Sequence, residues 1–180
     1  SEENKEDLFG DLEEKSKSNM VGMISSIRPE NDEEFDLWFN ETADTNVVGY
    51  RRVLHVMPDE TSQNEIFRKN IRKIGKAGKT FDICFLPSQL KVAKEFAVAC
   101  DNTQMILNHC GVPTISNNEL DPWRDDMKAL SKIPNVTCKL SGLMAYCAPG
   151  MSSYEAIEPY VDHALKCFGP KRMVWGSDWP

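Results

Sequence analysis

Residues 172–180, RMVWGSDWP, hold a short apolar run that breaks at Gly176 and releases a carboxylate, Asp178, as the run ends. The same unit recurs upstream. QMILNHC at 104–110 ends on His109, and NVTCKLSG at 135–142 carries Lys139 before its terminal Ser-Gly. MVGMISSI (20–27), VVGYRRVL (47–54) and TFDICFL (80–86) complete the set. Each run has strand length and is nearly continuously apolar, the pattern of a strand buried on both faces of a parallel sheet. Between the runs the apolar period changes to three and four: Phe35, Trp38, Phe39; Ile66, Phe67, Ile71, Ile74; Leu90, Ala93, Phe96, Ala97. It continues with Leu120, Trp123, Met127, Leu130 and with Ile157, Val161, Ala164, Leu165, Phe168, while Leu8, Phe9 and Leu12 open the series. These are amphipathic helices. Strand-to-strand spacing of roughly 25–35 residues is the size of a βα unit.

Boundary residues fit this alternation. Pro29, Pro58, Pro87, Pro113 and Pro149 fall shortly after strand runs, where a chain turns. Ser152 with Glu155 reads as a capping box opening the last helix, and Gly169-Pro170 closes it. Six consecutive βα units predict an α/β fold, either an open doubly wound sheet or a (β/α)8 barrel represented by six of its units. No glycine-rich phosphate loop follows any strand run, which weakens the nucleotide-binding open sheet. Polar residues gather at the carboxyl ends of the runs, where barrel active sites are built, which favours the barrel. With no composition break, residues 1–180 read as one domain.

Composition narrows the function. The chain has 180 residues, 21 Lys plus Arg against 28 Asp plus Glu, and a formal net charge of −7. An acidic chain is poorly suited to nucleic acid or an anionic membrane, so a small-molecule substrate is the expected partner. No apolar run approaches the roughly 18–20 residues of a membrane span. Six cysteines without a CxxC, half of them inside strand runs, read as buried free thiols and so as a cytoplasmic protein.

The polar strand ends supply the candidates. Asp178 reads either as a turn or cap aspartate, or as a general base or metal ligand at a barrel mouth. His109 emerges where the backbone turns toward Gly111 and Pro113; paired with Asp178 it could bind a divalent cation or move one proton. Arg51 and Arg52 point to opposite strand faces, and parity groups Arg51 with His55 as the inward pair. An inward guanidinium suits a carboxylate or lactone substrate, whereas a salt bridge to an acidic helix is the other reading. Lys139 is expected to bind substrate or to support the site from behind, or to be a structural snorkelling lysine. Asp82, early in its run, is expected to make a structural hydrogen bond.

Taken in order, VVGYRRVLHV, TFDICFLPSQL, MILNHCGVP, PWRDDM, NVTCKLSGL and EPYVDHALKCFGPKRMVWGSDWP resemble the amidohydrolase-related family of metal-dependent TIM-barrel hydrolases. The resemblance is to its branch of sugar-acid lactonases and sulfomuconolactone hydrolases. It implies strands three to eight of the barrel, with the first two strands and the last helix outside the sequence. It further implies that Asp178 takes the proton of the attacking water and ligates metal where one is bound. His109 then helps to hold metal or polarise the carbonyl, and Arg51 matches a substrate-binding arginine. A divalent metal, zinc first, is the implied cofactor, although the family's first-strand HxH pair does not occur in this sequence. The implied reaction is opening of a lactone by an activated water. A related decarboxylase or amide-bond hydrolase is the alternative chemistry, and an inactive truncated barrel serving as a binding module is the non-enzymatic one.

Overall fold

The computed structural model describes residues 20–178. The predicted alternation is there: β1 (Met23–Ser26), α1 (Asp32–Glu41), β2 (Val47–Val53), α2 (Glu60–Gln63), α3 (Glu65–Lys76) and β3 (Thr80–Cys84). It continues as α4 (Leu90–Ala99), β4 (Met105–Leu107), α5 (Trp123–Leu130), β5 (Val136–Leu140), α6 (Tyr154–Phe168) and β6 (Met173–Trp175). The helix expected around Leu8, Phe9 and Leu12 lies outside the described residues.

All neighbouring strands pair parallel, and the six form one sheet in the order β1-β2-β3-β4-β5-β6. This order bears out the barrel that the sequence favoured over the open sheet. A doubly wound sheet reverses its strand order at a switch point; a TIM barrel adds each strand beside the last. The chain is built as the second, six strands of a TIM barrel with the helices on the outside.

Aromatic packing fixes the helix-facing side. Phe67 of α3, Phe96 of α4 and Phe81 of β3 meet edge to face, with centroids 5.6–6.2 Å apart, all fully buried. Each such ring contributes about 1.5–3 kcal/mol by burial. Tyr50 of β2 faces the same layer, its hydroxyl 2.6 Å from the Oγ1 of Thr42 just past α1. Alternation therefore turns Arg51, Asp82 and Lys139 to the opposite, inner face.

Helix starts are built as propensity dictates, with two corrections. Asn31 and Asn64 cap α1 and α3, accepting from the backbone N–H of Glu34 and Ile66. The cap of α6 is Ser153, which accepts from the Ala156 N–H at 3.3 Å; Ser152 instead donates to the Met144 carbonyl at 3.1 Å. The cap predicted at Ser152 thus lies one residue later, and Ala156 at the third helical position has no side chain to complete a box. Leu120 falls before α5, because Pro122 takes the cap position and the helix starts at Trp123. Gly169 ends α6 at φ 67, as expected. All six cysteines are free thiols, four of them buried. Among the described residues no helix is long and apolar enough to cross a membrane.

Candidate active site

The strands end sooner than their apolar runs suggest. β4 stops at Leu107, and residues Asn108–Gly111 leave the sheet in a tight turn in which His109 (φ 53) and Cys110 (φ 51) are left-handed. Val112 (φ 52) and Asp178 (φ 57) share that region. Non-glycine residues there carry backbone strain of about 1–2 kcal/mol each. The strain at His109 and Asp178 turns both side chains toward one point.

That point is Gly142, directly after β5. His109 Nδ1 lies 3.6 Å from Asp178 Oδ2 and 2.9 Å from Ser141 Oγ. A Cβ placed on Gly142 would come within 2.5 Å of Asp178 Oδ2 and 3.0 Å of His109 Nδ1. Three successive strand ends, β4, β5 and β6, thus contribute imidazole, serine with glycine, and carboxylate to one cluster. The ring of Tyr146, in the turn Leu143–Tyr146, stands edge-on to His109 with centroids 6.4 Å apart.

Burial pushes the His109 pKa below its ordinary 6.5; the Asp178 charge opposes this, while Lys139 and Arg51 reinforce it. The imidazole is therefore neutral at neutral pH. Burial, and then the Asp178 charge, push the Tyr146 phenol up to about 12, so it is a hydrogen-bond donor. Behind the cluster, Asn108 donates from Nδ2 to Cys84 Sγ at 3.0 Å, and burial raises the Cys84 thiol.

The other candidates sit as follows. Arg51 is exposed on the inner face. Arg52 is bound on the other side of the strand by Glu30, its Nε 2.9 Å from Oε1. Lys139 donates from Nζ to Asp82 Oδ2 at 2.5 Å, in a pair that is 25% and 3% exposed. His55, grouped by strand parity with Arg51, lies in an exposed turn beyond the end of β2, where alternation no longer governs it. Ser141, Gly142 and Tyr146 were not singled out from sequence. The Ser-Gly closing NVTCKLSG was the available signal, since a glycine after a strand end marks a close approach.

For a metal, the cluster offers one imidazole nitrogen and one carboxylate oxygen. Among the described residues no group of three or more His, Cys, Asp or Glu side chains converges. A catalytic zinc takes three protein ligands. The described residues do not by themselves fit a zinc site.

A family model described as amidohydrolase matches residues 6–180. The chain belongs to the amidohydrolase family. An L-fucono-1,5-lactonase of Burkholderia multivorans is 30% identical over 150 residues, covering 76% of this chain and 50% of its own length. A 4-sulfomuconolactone hydrolase of Rhizobium radiobacter is 25% identical over 175 residues, covering 94% of this chain and 55% of its own. The chain thus spans about half the length of these relatives. A crystal structure of an amidohydrolase from Burkholderia multivorans with bound zinc superposes with a TM-score of 0.86 at 25% identity. That match covers 97% of this chain and 64% of the other.

Proposed function

We propose that the whole protein hydrolyses a lactone, and that His109 and Asp178, converging at Gly142, are its reacting centre. The observation that carries this is the strained approach of imidazole and carboxylate at three adjacent barrel strand ends. The lactone-opening activities named for the relatives support the substrate class.

The bond changes follow from the side chains. Asp178, 40% exposed, meets water and accepts a proton from one molecule as its oxygen attacks the lactone carbonyl carbon. In this step the reacting tautomer of His109 accepts at Nδ1 from the Ser141 hydroxyl, 2.9 Å away, and carries its ring proton on Nε2. That N–H faces the carbonyl oxygen and stabilises the developing oxyanion. Collapse of the tetrahedral intermediate breaks the ring C–O bond, and the proton held by Asp178 passes to the departing alkoxide. The product is an open hydroxy acid. Arg51 binds a substrate carboxylate, since its fork matches that group.

A divalent cation bound in the whole protein would take His109 and Asp178 as two ligands and would supply Lewis acidity. It needs at least one ligand more than they provide. The zinc held by the Burkholderia multivorans relative supports zinc as that cation.

The test is a panel of purified lactones and aromatic carboxylates given to the full-length protein, read by proton release and by carbon dioxide. Lactone-dependent proton release that Asp178→Asn abolishes, with the variant folded, is the expected result. Carbon dioxide release, or an Asp178→Asn variant of undiminished rate, refutes the assignment.

A further inference from the structure

Two arginines adjacent in sequence meet different fates. Arg52 is neutralised by Glu30, but Arg51 takes part in none of the ion pairs found among the described residues. A carboxylate nevertheless stands beside it. Asp82 is the register partner of Arg51 on β3, one strand spacing of about 4.8 Å away. Asp82 is claimed from the other direction: Lys139 reaches back from β5 across β4 and bonds it at 2.5 Å. Arg51, Asp82 and Lys139 thus share the inner face, Asp82 standing in register with the first and bonded to the last.

We propose that Lys139 is a positioning residue that keeps Asp82 occupied and thereby leaves the Arg51 guanidinium open to a carboxylate-bearing lactone. This inference rests on the lactone-opening reading of the site and narrows its substrate class to anionic lactones. The physical reason is competition for one buried carboxylate. An Asp82 carboxylate only 3% exposed must be paired. Without Lys139 the cation in register beside it is Arg51, whose planar fork binds carboxylates well. Arg51 would turn to Asp82 and be lost to substrate. Lys139 thus acts through two other residues rather than by touching substrate, which distinguishes it from a second carboxylate ligand.

The test uses the full-length protein with two probes, carboxylated 2-pyrone-4,6-dicarboxylate and neutral glucono-1,5-lactone, and reads the ratio of their KM values. Lys139→Met is expected to raise that ratio roughly tenfold or more, the worth of one charge-assisted hydrogen bond. Lys139→Met combined with Asp82→Asn restores the ratio, because the competitor for Arg51 has gone. Asp82→Asn alone, a near-isosteric change that keeps a hydrogen-bond acceptor for Lys139, leaves the ratio unchanged or lower; it serves if Lys139→Met does not fold. A double variant as impaired as Lys139→Met, or a raised ratio in Asp82→Asn, overturns the proposal. Calorimetric titration with glutarate reads the same series without turnover. If neither lactone is opened but glutarate affinity follows this pattern, the lactone reading falls and the role of Lys139 stands.

Discussion

Replacing Gly142 by alanine adds one methyl group at the point where the proposed reacting groups converge. The new Cβ would lie 2.5 Å from Asp178 Oδ2, about 0.9 Å inside the 3.4 Å at which ordinary contact begins. It would also press on His109 Nδ1 at 3.0 Å. The atoms in the way are side-chain tips rather than backbone, so it is the reacting groups themselves that give way. The carboxylate must therefore move by close to an ångström, a displacement that costs on the order of 100-fold in rate when a reacting group is involved. A second cost is separable. Gly142 has φ 69, so alanine there adds roughly 1–2 kcal/mol of backbone strain irrespective of contacts. Gly78 is the control: its φ is 70, yet nothing lies within 4 Å of the position its Cβ would take. Gly78→Ala is expected to lose the strain energy alone in urea denaturation and to keep its kcat. Gly142→Ala is expected to lose similar or greater stability and about two orders of magnitude in kcat, read by proton release from a lactone. Should Gly142→Ala keep kcat within about threefold of the parent while remaining folded, the cluster is not the reacting centre.

Other perturbations follow from the same geometry. Asp178→Asn should lower kcat by about 100-fold or more, the usual share of a general base, with little change in melting temperature. Tyr50→Phe removes one of the buried partners of the Thr42 hydroxyl, at a cost of about 1 kcal/mol in denaturant titration; a neutral result would mean that the bond from Thr42 to the Trp38 carbonyl suffices. Phe96→Ala empties the position where Phe67, Phe81 and Phe85 meet, and should cost about 3–5 kcal/mol. The His109 pKa is lowered in the folded state, so below its ordinary 6.5 the unfolded chain binds a proton that the folded chain refuses. Stability should therefore fall as pH drops below about 6.5 and level off beneath the folded pKa, and His109→Gln should flatten that slope. An unchanged slope in the variant would show that His109 is not the group responsible.

The barrel could be read from sequence because its signals are periodic and local. Apolar runs of strand length alternate with helical spacing six times, and an extra residue in one run does not disturb the count. Strand order is not local; the missing phosphate loop and the polar strand ends favoured the barrel, and the pairing of β1 through β6 in succession established it. His109 and Asp178 were visible as polar residues at the ends of apolar runs. Their common partner was not, since Gly142 matters through a distance across three strands. Parity predicted the inner face for Arg51 but does not extend to His55, because β2 ends at Val53 and the chain turns before His55. Lys139 was ambiguous for a similar reason: its partner Asp82 lies 57 residues away and two strands over. Alternation gives the face of a side chain; it does not give which opposite charge claims it.

Backbone strain supplies the link between the fold and the proposed chemistry. Strained residues persist only where surrounding structure holds them, and they gather where side chains must be aimed. Here β4 gives up half of its apolar run to a turn containing His109, and β6 ends in the left-handed Asp178. If these residues served only as loop corners, glycine would do the same work without strain, as it does at Gly150 and Gly169. The arrangement is inverted instead. The side chains stand on the strained positions, and the glycine lies between them where a side chain would obstruct their approach. A turn needs flexibility at its own corner, whereas a reacting pair needs clearance at its neighbour's. Gly142 meets both needs, since its own φ is 69 and the space beside it lets the pair approach, which is why a methyl group there probes function only when read against the Gly78 control.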